Sequence, residues 1–451
     1  MNEPKGTMGR FSRVRMRHIW ETTKQGPTEF GYAYFRARRR RRNIADDDSM
    51  LSESDLLAMS GAFDASDQSL SDNAELIDRY RRSDGFEIRT VVWFLPFFHH
   101  VYFGGVHTLL RFAEHFARVH GVKTHFHCYD VGQDRVPEMA QKVKTAFPAL
   151  AQATFTSGHT PIAELPPSDA AIATLWSSAY PALQVANTRA KFYFVQDNEP
   201  QFYAAGAASA MAEETYRFGF PGIVNTPGLA AVYRSYGNPA VSFVPAVDQT
   251  RYHAPDGPRA PGPVRVFFYG RPSTPRNAFG LGMVALAKLK DMLGDRVDII
   301  CAGEDWNPAQ FGMADRVRNL GVLRSLDEVA ELYRTCDIGL VFMLTRHPSY
   351  QPFEFMASGM ATVSNINPAT GWLLRDGENC LLTPPLATPV AERLARLVED
   401  AELRARIVAA GLEEVRRFRW DDQIEHIWES MCLRDGEFAL QTVAEHPTHS
   451  V

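Results

Sequence analysis

The sequence predicts an α/β protein of two successive, facing doubly wound domains, each with a parallel sheet. Three observations carry this expectation. Strand-like apolar runs alternate with amphipathic helical stretches twice over. Each series opens with a strand followed by a glycine-bearing turn, and a Pro- and Gly-rich stretch without periodicity, residues 248–264, parts the two.

The totals agree with that class. A chain of 451 residues is longer than one ordinary domain, and a hydrophobic fraction of 45% against 22% charged residues suits a folded body with sizeable cores. The formal net charge of −5 gives no drive toward nucleic acid. The five cysteines, at 128, 301, 336, 380 and 432, form no CxxC pair and have mostly apolar neighbours. They are expected to be buried free thiols in a reducing compartment. No apolar run approaches the roughly 18 residues of a membrane span, and the basic N-terminus lacks the apolar core of a secretory signal, so a cytoplasmic protein is expected.

Charge is unevenly placed. Residues 1–42 hold twelve Lys/Arg against three acids and end in the run Arg36–Arg42, whereas residues 43–78 hold ten Asp/Glu and no base. Residues 1–85 are therefore expected to be a charged, partly disordered extension. A basic run of this kind also suits anionic lipid headgroups, giving peripheral contact at the inner face of the membrane. The stretch "DLLAMSGAF" (55–63) could dock on the folded body.

The first domain, residues 86–247, begins with the strand "EIRTVVWFLP", the loop "FFHHVYFGG" and the helix "VHTLLRFAEHFARVHG", with Gly121 as its cap. "VKTHFHCYD" completes a βαβ unit. "DAAIATLW" and "AKFYFVQD" continue as strands around the helix "YPALQVANT", and "AVSFVPAV" closes the domain. The linker 248–264 follows. The second domain, 265–418, restarts with "VRVFFYGR" and the helix "FGLGMVALAKLKDML", then "VDIICAGED", the helix "SLDEVAELYRTC", "DIGLVFML", "ATVSNI" and "ENCLLTPP". Two helical stretches end it, a last helix falls at 419–436, and 437–451 is a tail.

Three places carry candidate chemistry. Gly270 ends a buried strand and is followed by Arg271 and, five residues on, Arg276; two guanidiniums beside the carboxyl end of a strand suit a diphosphate. Gly104 and Gly105 open a helix directly after the first strand, where the backbone can approach a ligand or serve tight packing. Glu354 lies at the first turn of the short helix "EFMASG", where its carboxylate can accept bonds from ribose hydroxyls or simply favour the helix start. Asp197 and Glu199, after the strand "AKFYFVQD", either cap the following segment or orient an acceptor hydroxyl. No His or carboxylate cluster shows metal-ligand spacing.

The set "FYGR…R", "AGED", "LGVL…LYRTCDIGLVFML" and "EFMASGMATVSN" resembles the C-terminal domain of GT-B glycosyltransferases of family four, and the resemblance covers residues 86–436. It implies that Arg271 and Arg276, the latter standing where the family has a lysine, bind the donor diphosphate. Glu354 matches the glutamate that holds the donor ribose, Gly104 and Gly105 match the acceptor and phosphate loop, and the last helix is expected to return to the N-terminal domain. Backbone at Val322 and Leu323 is expected near the base. The family's second glutamate, eight positions before the first, is replaced here by Arg346, followed by His347, and its histidine after the N-terminal strand by Gln196. "HPSYQPFEFMA", which includes Tyr350, and "YFVQDNEPQFY" look like the rhamnosyltransferase branch that uses dTDP-L-rhamnose, and a 6-deoxy sugar offers no 6-hydroxyl to grip.

The reading that follows is a retaining transferase moving a deoxyhexose from a nucleotide-sugar donor to a glycan or lipid-linked glycan in surface polysaccharide synthesis. Arg271, Arg276 and Asp197 are the expected catalytic residues. No cofactor or metal is expected, because arginines and helix N-termini can neutralise a leaving diphosphate. An epimerase or hydrolase of nucleotide sugars, or a non-catalytic scaffold of the same shape, are the alternatives.

Overall fold

The computed structural model describes residues 62–102, 104–347, 349–433 and 438. The basic run Arg36–Arg42, most of the "DLLAMSGAF" stretch and the tail lie outside the described residues, as do Phe103 and Pro348. The chain divides into two compact units. The first takes residues up to Val224, then Tyr233–Val241 and the chain from Ile427 onward; the second takes Asn225–Val232 and Ser242–His426.

The first sheet has seven strands: β1 (Thr90–Phe94), β2 (Lys123–Cys128), β3 (Thr154–Ser157), β4 (Ser168–Ala173), β5 (Thr188–Val195), β6 (Gly222–Asn225) and β7 (Ala240–Phe243), in the order β3-β2-β1-β4-β5-β6-β7. The pairs β1·β2, β1·β4, β2·β3, β4·β5 and β5·β6 are parallel. The order reverses beside β1, the position at which open parallel sheets leave a crevice at their carboxyl ends. β1 forms because its β-branched and aromatic residues are buried on both faces, with Trp93 and Phe94 fully enclosed. The helix Gly104–His120 covers it with Leu109, Leu110, Phe112 and Phe116 at helical spacing.

β3 and the helix Val136–Ala146 have no counterpart in the sequence reading. β3 is an edge strand, mostly half-exposed and rich in Thr, and shows no buried run to betray it.

Part of the stretch expected to be a loose extension is a structured helix, Asp67–Arg81. Ser66 caps it, accepting from Ser69 N at 3.1 Å while Ser69 Oγ accepts from Ser66 N at 3.0 Å. A stripe of Asn73, Ile77 and Tyr80 is buried; Asn73 Nδ2 donates to Phe218 O at 2.7 Å and the Tyr80 hydroxyl to Met431 O at 2.8 Å. Phe63, just before it, packs on Trp176 with ring centroids 4.7 Å apart. The last helix, Trp420–Met431, brings Trp428 against Phe116 and stacks it on His120 at 4.1 Å, three residues that belong to the first unit.

The second sheet holds β8 (Val264–Gly270), β9 (Val297–Gly303), β10 (Arg318–Asn319), β11 (Ile338–Val341), β12 (Ala361–Asn365) and β13 (Leu381–Thr383) in the order β10-β9-β8-β11-β12-β13, every pair parallel. The order reverses between β8 and β11, so the loops after these two strands form the rim of the switch point. The stretch 248–264, expected to be a bare linker, is woven into this unit. Arg259 donates from Nε to Arg334 O at 3.0 Å and from Nη2 to Ser358 O and Gly359 O at 3.1 and 2.9 Å. Tyr252 is 5% exposed and packs against Tyr333. Pro and Gly made the segment irregular, but its aromatic and guanidinium groups tie it down.

Among the described residues no helix is long and apolar enough to cross a membrane.

Candidate nucleotide-sugar site

In the second unit the site grows from the carboxyl ends of β8 and β11. β8 ends at Gly270, whose carbonyl accepts from Trp306 Nε1 at 3.1 Å. Arg271 follows, half-buried, with Nε 3.3 Å from Glu304 Oε1 and its guanidinium 5.7 Å from the Tyr269 ring. Glu304 also accepts from Ser273 N at 3.1 Å and from Ser273 Oγ. Asn319 Nδ2 pins the same stretch by donating to Glu304 O and Trp306 O at 3.0 and 2.9 Å.

Arg276, also half-buried, sits on the single turn Pro275–Asn277, and its carbonyl accepts from Leu344 N at 3.0 Å. Asn277 Nδ2 donates to Phe342 O at 3.3 Å. The turn that bears Arg276 is thus stitched to the chain after β11, and Arg271 to the end of β9 through Glu304.

The next stretch runs from 342 to 350. Its backbone is held by two asparagines, the last residue of β12 and one just beyond it: Asn365 bridges Met343 N and O at 2.9 and 3.0 Å, and Asn367 Nδ2 donates to Thr345 O at 2.6 Å. Here Arg346 is exposed and His347 is 3% exposed, with Nδ1 accepting from Ser349 N at 3.0 Å. Ser349 takes a left-handed φ of +67°, uncommon for a residue with a side chain. Tyr350 is half-buried, 6.3 Å from the His347 ring.

The helix that carries Glu354 spans Gln351–Ala357, beginning three residues before the expected start because Pro352 suits a first-turn position. Gly359, with φ +71°, ends it. It packs on β11 where Gly339 stands, since a Cβ there would lie 2.3 Å from the Phe355 ring. That close approach fixes the height of Glu354 above the sheet. Burial pushes the Glu354 carboxyl up to about 7, and the neighbouring Tyr252 and Tyr333 hydroxyls partly offset the shift.

Gly321 turns with φ +70° and donates its N–H to Asn319 Oδ1 at 3.2 Å, which presents Val322 at 51% exposure while Leu323 packs on the core.

In the first unit, Gly104 and Gly105 are the first residues of their helix, and Gln196 Nε2 donates to Gly105 O at 2.9 Å. Asp197 is half-buried; its Oδ1 accepts from Asn198 N at 2.7 Å and its carbonyl from the Tyr216 hydroxyl at 3.1 Å. Gln196 therefore touches the helix that opens with the two glycines, and Asp197 follows it in the chain. Glu199 departs from the expected acceptor role. It is 2% exposed and turned inward, accepting from the Tyr193 hydroxyl at 2.9 Å and from Trp176 N. Burial raises its carboxyl to about 8.

Several residues escaped the sequence reading. Asp130 accepts from Phe97 N at 2.8 Å and so holds the start of the glycine loop; burial lifts it to about 7. Glu304, Asn365, Asn367, Tyr252 and Tyr333 lie far in sequence from the residues they hold, and no local pattern marks them. For Glu304 alone a signal existed, a carboxylate directly after a strand ending in glycine.

Comparison with known proteins bears on the fold. Residues 264–395 match the family model described as WsaF, C-terminal domain. The O-antigen biosynthesis protein RfbC of Myxococcus xanthus is 44% identical over 358 residues, which are 79% of this chain and 28% of RfbC. The chain thus spans little more than a quarter of that relative's length. Among solved structures, Anabaena HepE, in complex with UDP and glucose, superposes with a TM-score of 0.59 at 15% identity, covering 76% of this chain and 99% of HepE. Sucrose-phosphate synthase from Thermosynechococcus elongatus gives 0.58 at 13% identity, over 76% and 98%. The two parallel sheets are those of GT-B glycosyltransferases, and that fold is the one this chain adopts.

Proposed function

We propose that this chain is a glycosyltransferase of surface polysaccharide synthesis, and that its second unit holds a nucleoside diphosphate sugar. The observation that carries the reading is the gathering of Arg271, Arg276 and Glu354 on the loops after β8 and β11 of a single parallel sheet. The arginines would bind the diphosphate by charge-assisted hydrogen bonds, and the Glu354 carboxylate would accept from the ribose hydroxyls. The base would lie along the backbone of Val322 and Leu323. An acceptor hydroxyl would attack the anomeric carbon as its bond to the diphosphate breaks, its proton passing to the leaving phosphate oxygen on the same face, with retention of configuration. The charge that develops on the leaving oxygen would be met by the guanidiniums, without a metal ion.

HepE is solved with UDP-glucose, which supports a nucleoside diphosphate sugar as the donor class. RfbC is named for O-antigen synthesis, which supports a glycan acceptor. The choice of L-rhamnose from dTDP-L-rhamnose rests on the stretch Arg346–Glu354, where a carboxylate for the sugar hydroxyls is replaced by Arg346 and His347. Gln196 and Asp197 are placed on the acceptor side of the reading, and Arg36–Arg42 at an anionic membrane surface.

The test is a thermal-shift screen of the full chain against dTDP-, UDP- and GDP-sugars, with and without EDTA. A rise in the midpoint with one nucleotide family, abolished by Arg271→Ala and unaffected by EDTA, is expected. A chain whose midpoint ignores all three families overturns the reading. A response that needs Mg²⁺ overturns the metal-independent part.

A further inference from the structure

We propose that Glu304 is a positioning residue for the donor: it sets the direction in which Arg271 presents its guanidinium. The inference rests on the donor-site reading above. Glu304 leaves the end of β9 directly after Gly303, whose φ of +131° turns the chain toward β8. A Cβ at Gly303 would lie 2.9 Å from Arg271 Cγ, so only glycine lets the two strand ends meet so closely.

The Glu304 side chain is 14% exposed and that of Arg271 33%. Its carboxylate binds two parts of the neighbouring loop at once. Oε1 takes Arg271 Nε at 3.3 Å and Ser273 Oγ, while Oε2 takes Ser273 N at 3.1 Å. The head of Arg271 and the backbone two residues on are therefore held by one rigid group.

The geometry has a directional consequence. A guanidinium is a planar fork, and an acceptor on its Nε side fixes the plane while the Nη1 and Nη2 edge faces away. That outer edge has the shape that takes two oxygens of a phosphate. A carboxylate so near a diphosphate repels it, and this repulsion is tolerable only if the orientation it enforces is worth more. The Glu304 backbone is itself fixed by Asn319 Nδ2 at 3.0 Å and the adjoining Trp306 by its bond to Gly270 O, so the carboxylate does not swing.

If Glu304 acts through Arg271, its removal should matter only while Arg271 is an arginine. The experiment is titration calorimetry of the full chain with UDP and with dTDP, for the wild type, Glu304→Ala, Glu304→Gln and each of these in an Arg271→Lys background. Lysine keeps the charge but has no Nε–H to be held. Glu304→Ala is expected to weaken nucleotide binding roughly tenfold in the wild type and less than twofold beside Arg271→Lys. Glu304→Gln, which still accepts through its carbonyl, should recover most of the loss. A merely structural role would lower the thermal midpoint and weaken binding equally in both backgrounds, and that result, or unchanged affinity in Glu304→Ala, overturns the proposal. If the wild type binds neither nucleotide, the donor-site reading itself fails and the inference falls with it.

Discussion

Glu199 and Glu354 are the same residue in near-identical surroundings, one in each unit. Each follows a strand of a parallel sheet, each is pushed up by burial, to about 8 and about 7, and each has two tyrosines for company: Tyr193 and Tyr216 for the first, Tyr252 and Tyr333 for the second. Yet the first is fully buried and accepts from Trp176 N and the Tyr193 hydroxyl, whereas the second is half-buried, on the helix Gln351–Ala357 beside Tyr252 and Tyr333. Both carboxylates have protein donors, so what separates them is access: Glu199 is 2% exposed and Glu354 half-buried.

The comparison breaks most visibly at Glu199. Glu199→Ala leaves the Trp176 N–H and the Tyr193 hydroxyl buried without their acceptor, and a loss of about 3 kcal/mol in unfolding free energy is expected by urea denaturation. A loss below about 1 kcal/mol would mean that the site is wetter than its burial implies.

Glu354→Gln should do the reverse. It removes a charge that burial disfavours, so stability at pH 8 should hold or rise, while donor affinity falls about tenfold, or about 1.4 kcal/mol, as the charged acceptor for the ribose is lost. The sign of the accompanying pH effect follows from the raised pKa. Below about 7 the carboxyl is protonated and, on the proposed donor reading, must lose its proton to accept from both ribose hydroxyls, so wild-type affinity should climb as pH rises through about 7. A Glu354→Gln variant that keeps that climb would place the titrating group elsewhere.

A third effect concerns stability against pH. Glu199 has an ordinary value of 4.5 and about 8 when folded, so the native state holds its proton where the unfolded chain has released it. Stability therefore falls as pH rises between about 4.5 and 8, by at most about 1.4 kcal/mol per pH unit for this group. Glu199→Gln should flatten that slope in denaturant melts taken across the window.

The strands were legible because buried parallel strands are continuous apolar runs; "VRVFFYG" and "DIGLVF" could hardly be anything else. Gly270, Arg271 and Arg276 were legible as a candidate site because strand, turn and charge are contiguous. The helix Asp67–Arg81 was hidden, since three buried residues spaced along an acidic stretch leave the composition unchanged. The packing of 248–264 was hidden too: Tyr252 and Arg259 find partners 81 to 100 positions away, among Tyr333, Ser358 and Gly359.

By itself, then, the sequence determined the buried central strands, the strongly amphipathic helices and the loops that carry the arginines, because those properties depend on neighbours a few residues apart. Only the tertiary structure decided that Glu199 faces inward, that Glu304 meets Arg271 across 33 residues, and that two tyrosines surround Glu354. Those outcomes depend on which strand ends the parallel order brings together, and sheet order is set by packing over the whole unit, not by any local stretch.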